Sequence, residues 1–189
     1  MMNVIEREAN LKDFLLQKYF DSSNNLPNWI ITSVVFVLTI SILISQYVPV
    51  LPKFIVENQV LGYHFNKFGY ALAVVSAFYF LRTSFGFLFY HSIGDGKKWN
   101  IFYFTSTKMQ FVISIVLMAL CIVHYYYPVD KSSAFVYYVG FFCFVFIFKV
   151  LFYMFHKNNI LPQKWYYKFL YICTLQIAPL LMLWKLLFF

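Results

Sequence analysis

The sequence predicts an all-α polytopic integral membrane protein, and three observations carry that reading. The chain of 189 residues is 62% hydrophobic and 24% aromatic, but only 12% charged. Soluble domains are typically about half apolar and about a quarter charged. Its apolar residues fall into five runs of roughly 20, the length a helix needs to cross a bilayer. These runs are too long for barrel strands and lack in–out alternation. The same composition excludes disorder, a disulfide scaffold and an ordinary soluble enzyme.

Residues 1–27 read as a cytoplasmic amphipathic segment. Leu11, Leu15 and Tyr19 recur at helical spacing among Glu6, Arg7, Glu8, Lys12, Asp13 and Lys18, the pattern of a short helix lying on a membrane surface. The segment has no apolar h-region of a signal peptide. Asp21 to Asn25 breaks the pattern, and Pro27 suits the first turn of the helix that follows.

Residues 28–189 read as a single five-helix transmembrane domain. The first span runs from Trp29 to Tyr47 and is stopped by Pro49 and Pro52. The second runs from Gly69 to His91 and carries Arg82. The third starts at or just after Lys108 and ends at Tyr127, before Pro128. The fourth runs from Ala134 to His156 and carries Lys149. The fifth runs from Phe169 to about Phe188 and carries Gln176 and Pro179. Trp29, Tyr47, Trp99, Tyr125 to Tyr127 and Trp165 are placed to form interfacial belts.

The net charge of +8 points to an anionic membrane surface rather than nucleic acid, since the basic residues form no soluble aromatic platform. Arg7, Lys12, Lys18, Lys97, Lys98, Lys108, Lys157, Lys164 and Lys168 flank the spans on one side. Lys53, Lys67 and Lys131 flank them on the other. Nine against three puts the amino terminus in the cytoplasm and the carboxyl terminus outside.

The chemistry-bearing positions are the polar residues inside the spans. Arg82, Lys149 and Gln176 are accompanied there by hydroxyls but by no Asp or Glu. Counted at helical rise, Arg82 lies about 13 Å from His91, Lys149 about 10 Å from His156 and Gln176 about 12 Å from Lys168. Three helices thus place a polar group at one depth, and such groups usually face the bundle interior. Two cations without an acid either snorkel to the headgroups or hold an anion. In the second case Arg82 and Lys149 bind the charge and Gln176 orients it. Pro179 cannot donate to the carbonyl of Leu175, so a helix kink beside Gln176 is expected.

Other chemistry is sparse. Cys121, Cys143 and Cys173 lie in apolar runs without CxxC spacing, and read as small apolar residues. No cofactor is expected, with haem between His91 and His156 as an alternative. No metal site is expected, and no nucleophile-elbow, phosphate-loop or zinc-protease motif is present. Asp95, between Gly94 and Gly96, reads as a turn.

The most distinctive stretch is the lead-in and first half of the last span, KWYYKFLYICTLQIAPLL from Lys164 to Leu181, followed by Trp184-Lys185-Leu186-Leu187. It resembles the closing motif of a small polytopic membrane family of Bacteroidota catalogued as domain of unknown function 4271, which ends in an FLYLC-x-LEI-x-P run. Phe169 to Pro179 carries the match. Where that pattern favours an acid, this chain has Gln176. An acid there would pair with Arg82 or Lys149, whereas Gln176 offers a hydrogen bond, so an ion-pair or proton-relay role is not carried over. The resemblance implies a bundle of unknown activity in the bacterial inner membrane and no substrate; with the charge balance above, the carboxyl terminus is then expected in the periplasm.

The functional expectation is a non-catalytic inner-membrane subunit or assembly scaffold of a larger membrane complex, with a protein partner in the membrane. The alternative is a binding protein or transporter for an anionic inner-leaflet lipid or an isoprenoid phosphate, through Arg82, Lys149 and Gln176.

Overall fold

With no water in the hydrocarbon to satisfy an open backbone, a membrane-crossing chain closes its hydrogen bonds within helices. The structure, a computed structural model, describes residues 25–48, 66–127, 130–155, 161–162 and 164–188. Among them every regular element is helical. The order is α1 (Asn25–Ser45), α2 (Lys67–Ser92), α3 (Gly96–Tyr126), α4 (Lys131–Phe155), α5 (Trp165–Leu170), a π-helix (Tyr171–Ile177) and α6 (Ala178–Phe188). The last three run on as one closing helix, giving five helices long and apolar enough to cross a membrane. The amphipathic segment expected at the amino terminus, the stops at Pro49, Pro52 and Pro128, and His156 lie outside the described residues.

Four of the spans match the expected ones closely. The third does not: α3 begins at Gly96, not at Lys108. Gly94 adopts φ +82°, a left-handed conformation that glycine takes without a Cβ clash, and it reverses the chain in a tight turn. The Lys98 and Trp99 amides both bond the Asp95 carbonyl, so helix starts at once. Thirty-one residues span about 46 Å, more than the hydrocarbon thickness, so the first turns lie at the interface. Lys108 is therefore a helix residue, its ammonium 4.4 Å from the centre of the Phe104 ring.

Lipid gives helices no hydrophobic reason to associate, so close packing and hydrogen bonds do the work. The α1–α3 contact is built from small hydroxyl residues. Thr39 and Ser41 on α1 bond the carbonyls of Val35 and Val37, one turn back, at 2.8 and 2.6 Å. Thr105, Thr107 and Ser114 on α3 do the same to Ile101, Tyr103 and Gln110 at 2.7–2.9 Å. Each hydroxyl is satisfied within its own helix and leaves a short side chain at the surface, so the backbones approach closely.

The two ends of the bundle are packed differently. At the Asp130 end, Val48, Tyr70 and Leu187 form a small buried cluster, and the Tyr70 hydroxyl donates to the Leu186 carbonyl at 2.9 Å. At the Gly94 end, Tyr90, Trp99, Phe102, Tyr153, Leu161, Tyr171 and Leu175 form a larger, mainly aromatic core. Trp99 is thus buried in the bundle, not in the interfacial belt where its position suggested. Tyr125, Tyr126, Tyr127 and Trp165 are exposed at the helix ends, as belt residues should be. Helix α4 approaches the others through long side chains, Tyr138 against His124, Phe135 against Trp184 and Tyr153 against Phe102.

Candidate functional site

The aromatic core at the Gly94 end surrounds a polar centre. Arg82 on α2 donates from Nη2 to Oε1 of Gln176 on the π-helix at 3.3 Å. The Gln176 amide donates in turn to the Tyr171 hydroxyl at 3.4 Å. A π-helix bonds residue i to i+5 and has a wider turn than an α-helix, and that widening brings Tyr171 and Gln176 nearer to one face. The sequence expects a kink at Pro179. The structure instead widens the helix immediately before Pro179 and returns to α at Ala178. The Ala178 amide bonds the Cys173 carbonyl, and the Thr174 hydroxyl takes the Leu170 carbonyl at 2.7 Å. The register is thereby adjusted ahead of the missing proline amide.

Lys149 enters the same region from α4. It is 8% exposed, as buried as a core apolar residue. Its ammonium stands 5.7 Å from the centre of the Tyr153 ring, and Arg82 acts on it electrostatically, like charge on like. The two described carboxylates are engaged at opposite ends of the bundle, Asp95 with Lys98 at 2.8 Å and Asp130 with Ser133 at 2.9 Å. The Tyr153 hydroxyl is buried without a hydrogen bond of standard geometry, Ser106 lying beside it.

A cavity of about 40 Å³ lies beside Arg82. That is room for a few waters or a small polar group. It runs from Trp29 and Trp99, about 5–6 Å from the Gly94 ends of their helices, to Tyr79 and Gln110, about 20 Å in. Its far wall is a second network: Tyr79 donates to Oε1 of Gln110 at 3.2 Å and meets the Ser33 hydroxyl at 2.7 Å. Gln110 itself lines the cavity and carries amide N–H donors. Arg82 likewise keeps further N–H donors. The lining is rich in donors and holds no carboxylate among the described residues.

The sequence model of a family described as a domain of unknown function, DUF4271, matches residues 6–187, nearly the whole chain. The chain belongs to this family. No curated protein and no solved structure matches it.

Of the residues singled out in this DUF4271 protein, Arg82 and Gln176 are bonded, and Lys149 is within electrostatic reach of Arg82. Lys149 does not line the cavity, so the three do not converge on one point. His91 is exposed at the end of α2, its ring 4.3 Å from Phe87. The described cysteines are all free, and Cys121 contacts the Thr39 carbonyl at 3.7 Å.

Gln110, Tyr79 and Tyr171 escaped the sequence reading. Starting the third span near Lys108 left Gln110 in the first turn of a helix, where a polar residue is unremarkable. With α3 beginning at Gly96, Gln110 is mid-helix, and a glutamine there would have stood out beside Gln176.

Gly86 also lines the cavity, and a Cβ on it would meet Cζ3 of Trp99 at 3.0 Å. Trp99 is held by Tyr90 and Phe102, so it has little room to retreat. Gly86→Ala is therefore expected to destabilise the protein by about 1–2 kcal/mol through overpacking, despite a helix-propensity gain of up to about 1 kcal/mol. Thermal unfolding in detergent measures the sign. A stabilised variant would mean that Trp99 moves freely and that the cavity wall is soft.

Proposed function

We propose that this protein is a non-catalytic binding protein of the cytoplasmic membrane that holds an anionic group, a lipid or isoprenoid phosphate, in the cytoplasmic half of the bilayer. One observation supports this above the rest: Arg82, partly buried, lines the cavity while bonded to Gln176, and the described carboxylates are engaged elsewhere. A partly buried guanidinium facing no carboxylate among the described residues is costly, and an anion seated against Arg82 lowers the cost. Gln176 fixes the guanidinium, and the cavity beside it supplies further donors.

The orientation belongs to the same proposal. Moving Lys108 into α3 leaves the excess of basic residues on the Gly94 side, which puts that end in the cytoplasm and the carboxyl terminus in the periplasm. In a cysteine-free background, Ser92→Cys should label from the cytoplasmic side and Ser133→Cys from the periplasmic side. Labelling of both from one side would overturn the arrangement.

A second reading, a subunit or scaffold of a larger membrane complex, is favoured by α4. That helix turns Val136, Tyr137, Phe144 and Phe155 outward and leaves open space beside Gly140. Purification in mild detergent with mass spectrometry separates the two readings. A retained phosphate-bearing lipid supports the first and a stoichiometric protein partner the second. Absence of any bound anion, with no thermal shift on adding anionic lipid, would sink the first.

A further inference from the structure

The deep wall of the cavity holds one glutamine in a set orientation. The amide oxygen of Gln110 can only accept, so the Tyr79 hydroxyl donates to it, at 3.2 Å. That uses the single hydrogen Tyr79 has. The Ser33 hydroxyl, 2.7 Å from the Tyr79 oxygen, is therefore the donor of that pair. The bonds run one way, from Ser33 on α1 through Tyr79 on α2 to Gln110 on α3. With Oε1 turned to Tyr79, the two N–H groups of Gln110 lie on the other branch of the amide.

Gln110 differs in this from Gln176, although both are buried. Gln176 uses both ends of its amide, the oxygen with Arg82 and the nitrogen with Tyr171. Gln110 uses its oxygen, while its nitrogen meets no acceptor among the described residues. At 4% exposure, a donor left unmade there is costly. Gln110 lines the cavity, so an acceptor placed in the cavity is in position to take up that donor.

Arg82 supplies a charged donor to the same lining. Counted from the Gly94 ends of their helices, Arg82 lies about 15 Å in and Gln110 about 20 Å, roughly one turn apart in depth. Two donors so placed on neighbouring helices suit the several oxygens of one oxyanion, the charge meeting the guanidinium and a second oxygen the amide.

We propose, resting on the anion-binding reading above, that Gln110 is a second ligand contact of this site, donating from its amide nitrogen to an oxyanion held by Arg82, and that Tyr79 and Ser33 are positioning residues that keep the amide turned that way.

The test measures binding of phosphatidic acid by the full-length protein in phosphatidylcholine nanodiscs, and of inorganic phosphate in undoped discs. Gln110→Leu should weaken binding about tenfold to a hundredfold, the worth of a hydrogen bond to a charged group. Tyr79→Phe keeps the ring against Trp29 and Phe36 but frees the amide to turn over, so it should weaken binding several-fold. In the Gln110→Leu background the same change should cost nothing further, because no amide remains to be oriented. Weakening of phosphatidic acid alone supports the contact with a lipid headgroup, and of inorganic phosphate as well supports it with a free source. Unchanged affinity in Gln110→Leu overturns the contact while the anion-binding reading stands. Full losses that add in the double variant overturn the positioning role of Tyr79. Failure of the wild type to bind either probe overturns both readings. Should Gln110→Leu not fold, Tyr79→Phe decides, and an affinity equal to wild type overturns the proposal.

Discussion

Lys149→Met is expected to raise the thermal stability of the delipidated protein, and Arg82→Met to lower it. Lys149 is buried, repelled by Arg82, and among the described residues is held by the face of the Tyr153 ring. A cation–π contact of about 0.5–2 kcal/mol does not offset the loss of hydration of an ammonium. Methionine fills a similar volume without the charge, so a gain of about 1–4 kcal/mol is expected, the range seen when buried charges are replaced by apolar residues. Arg82 differs because it has a buried partner. Its removal takes away the donor to Oε1 of Gln176, which is 3% exposed, at a cost of about 1–3 kcal/mol.

With saturating ligand the order changes, since the wild type gains the binding free energy and the variants do not. Thermal unfolding of three proteins, with and without added phosphatidic acid, reads all of this. A Lys149→Met variant less stable than wild type without lipid would mean that a counter-charge from elsewhere in the chain already neutralises the lysine.

How much of this was legible beforehand follows from what each signal measures. Span length and charge depletion are one-dimensional properties, so the five helices could be read off directly. Depth is nearly one-dimensional as well, because the rise per residue of a helix is fixed. That is why Arg82 and Gln176, far apart in sequence, could be expected at one level, and they are bonded there. The direction a side chain faces is another matter. Helices apolar on all sides give no stripe to orient them, so nothing in the sequence separated the cavity face of Arg82 from the α4 face where Lys149 lies. The π-helix was hidden for a related reason. Pro179 announces a missing hydrogen bond but not how the chain absorbs it, and the widening falls on the residues before it. The start of α3 was misplaced because Lys97 and Lys98 look like loop residues, while the tight turn at Gly94 and the burial of Trp99 extend the helix through them.

Tyr90→Ala is expected to produce the largest loss of stability, about 3–5 kcal/mol, in the range of large-to-small changes in a packed core. Tyr90 is fully buried, with its ring centre 5.6–5.9 Å from those of Trp99, Phe102 and Tyr171. It ties α2 to α3 and to the π-helix. In a membrane the cost is not exposure to water but the dispersion attraction forfeited around an unfilled space, because lipid offers the unpacked helices an equally apolar alternative. The damage should also reach the polar centre, since Tyr171 packs on Tyr90 and accepts the bond from Gln176. Tyr90→Phe keeps the ring and should cost only about 1 kcal/mol, the net worth of a typical hydrogen bond. Chemical unfolding in mixed micelles gives both values. An alanine cost no greater than the phenylalanine cost would mean that ring packing is not what holds this end of the bundle together, and that Gln176 and Arg82 are positioned by the π-helix alone.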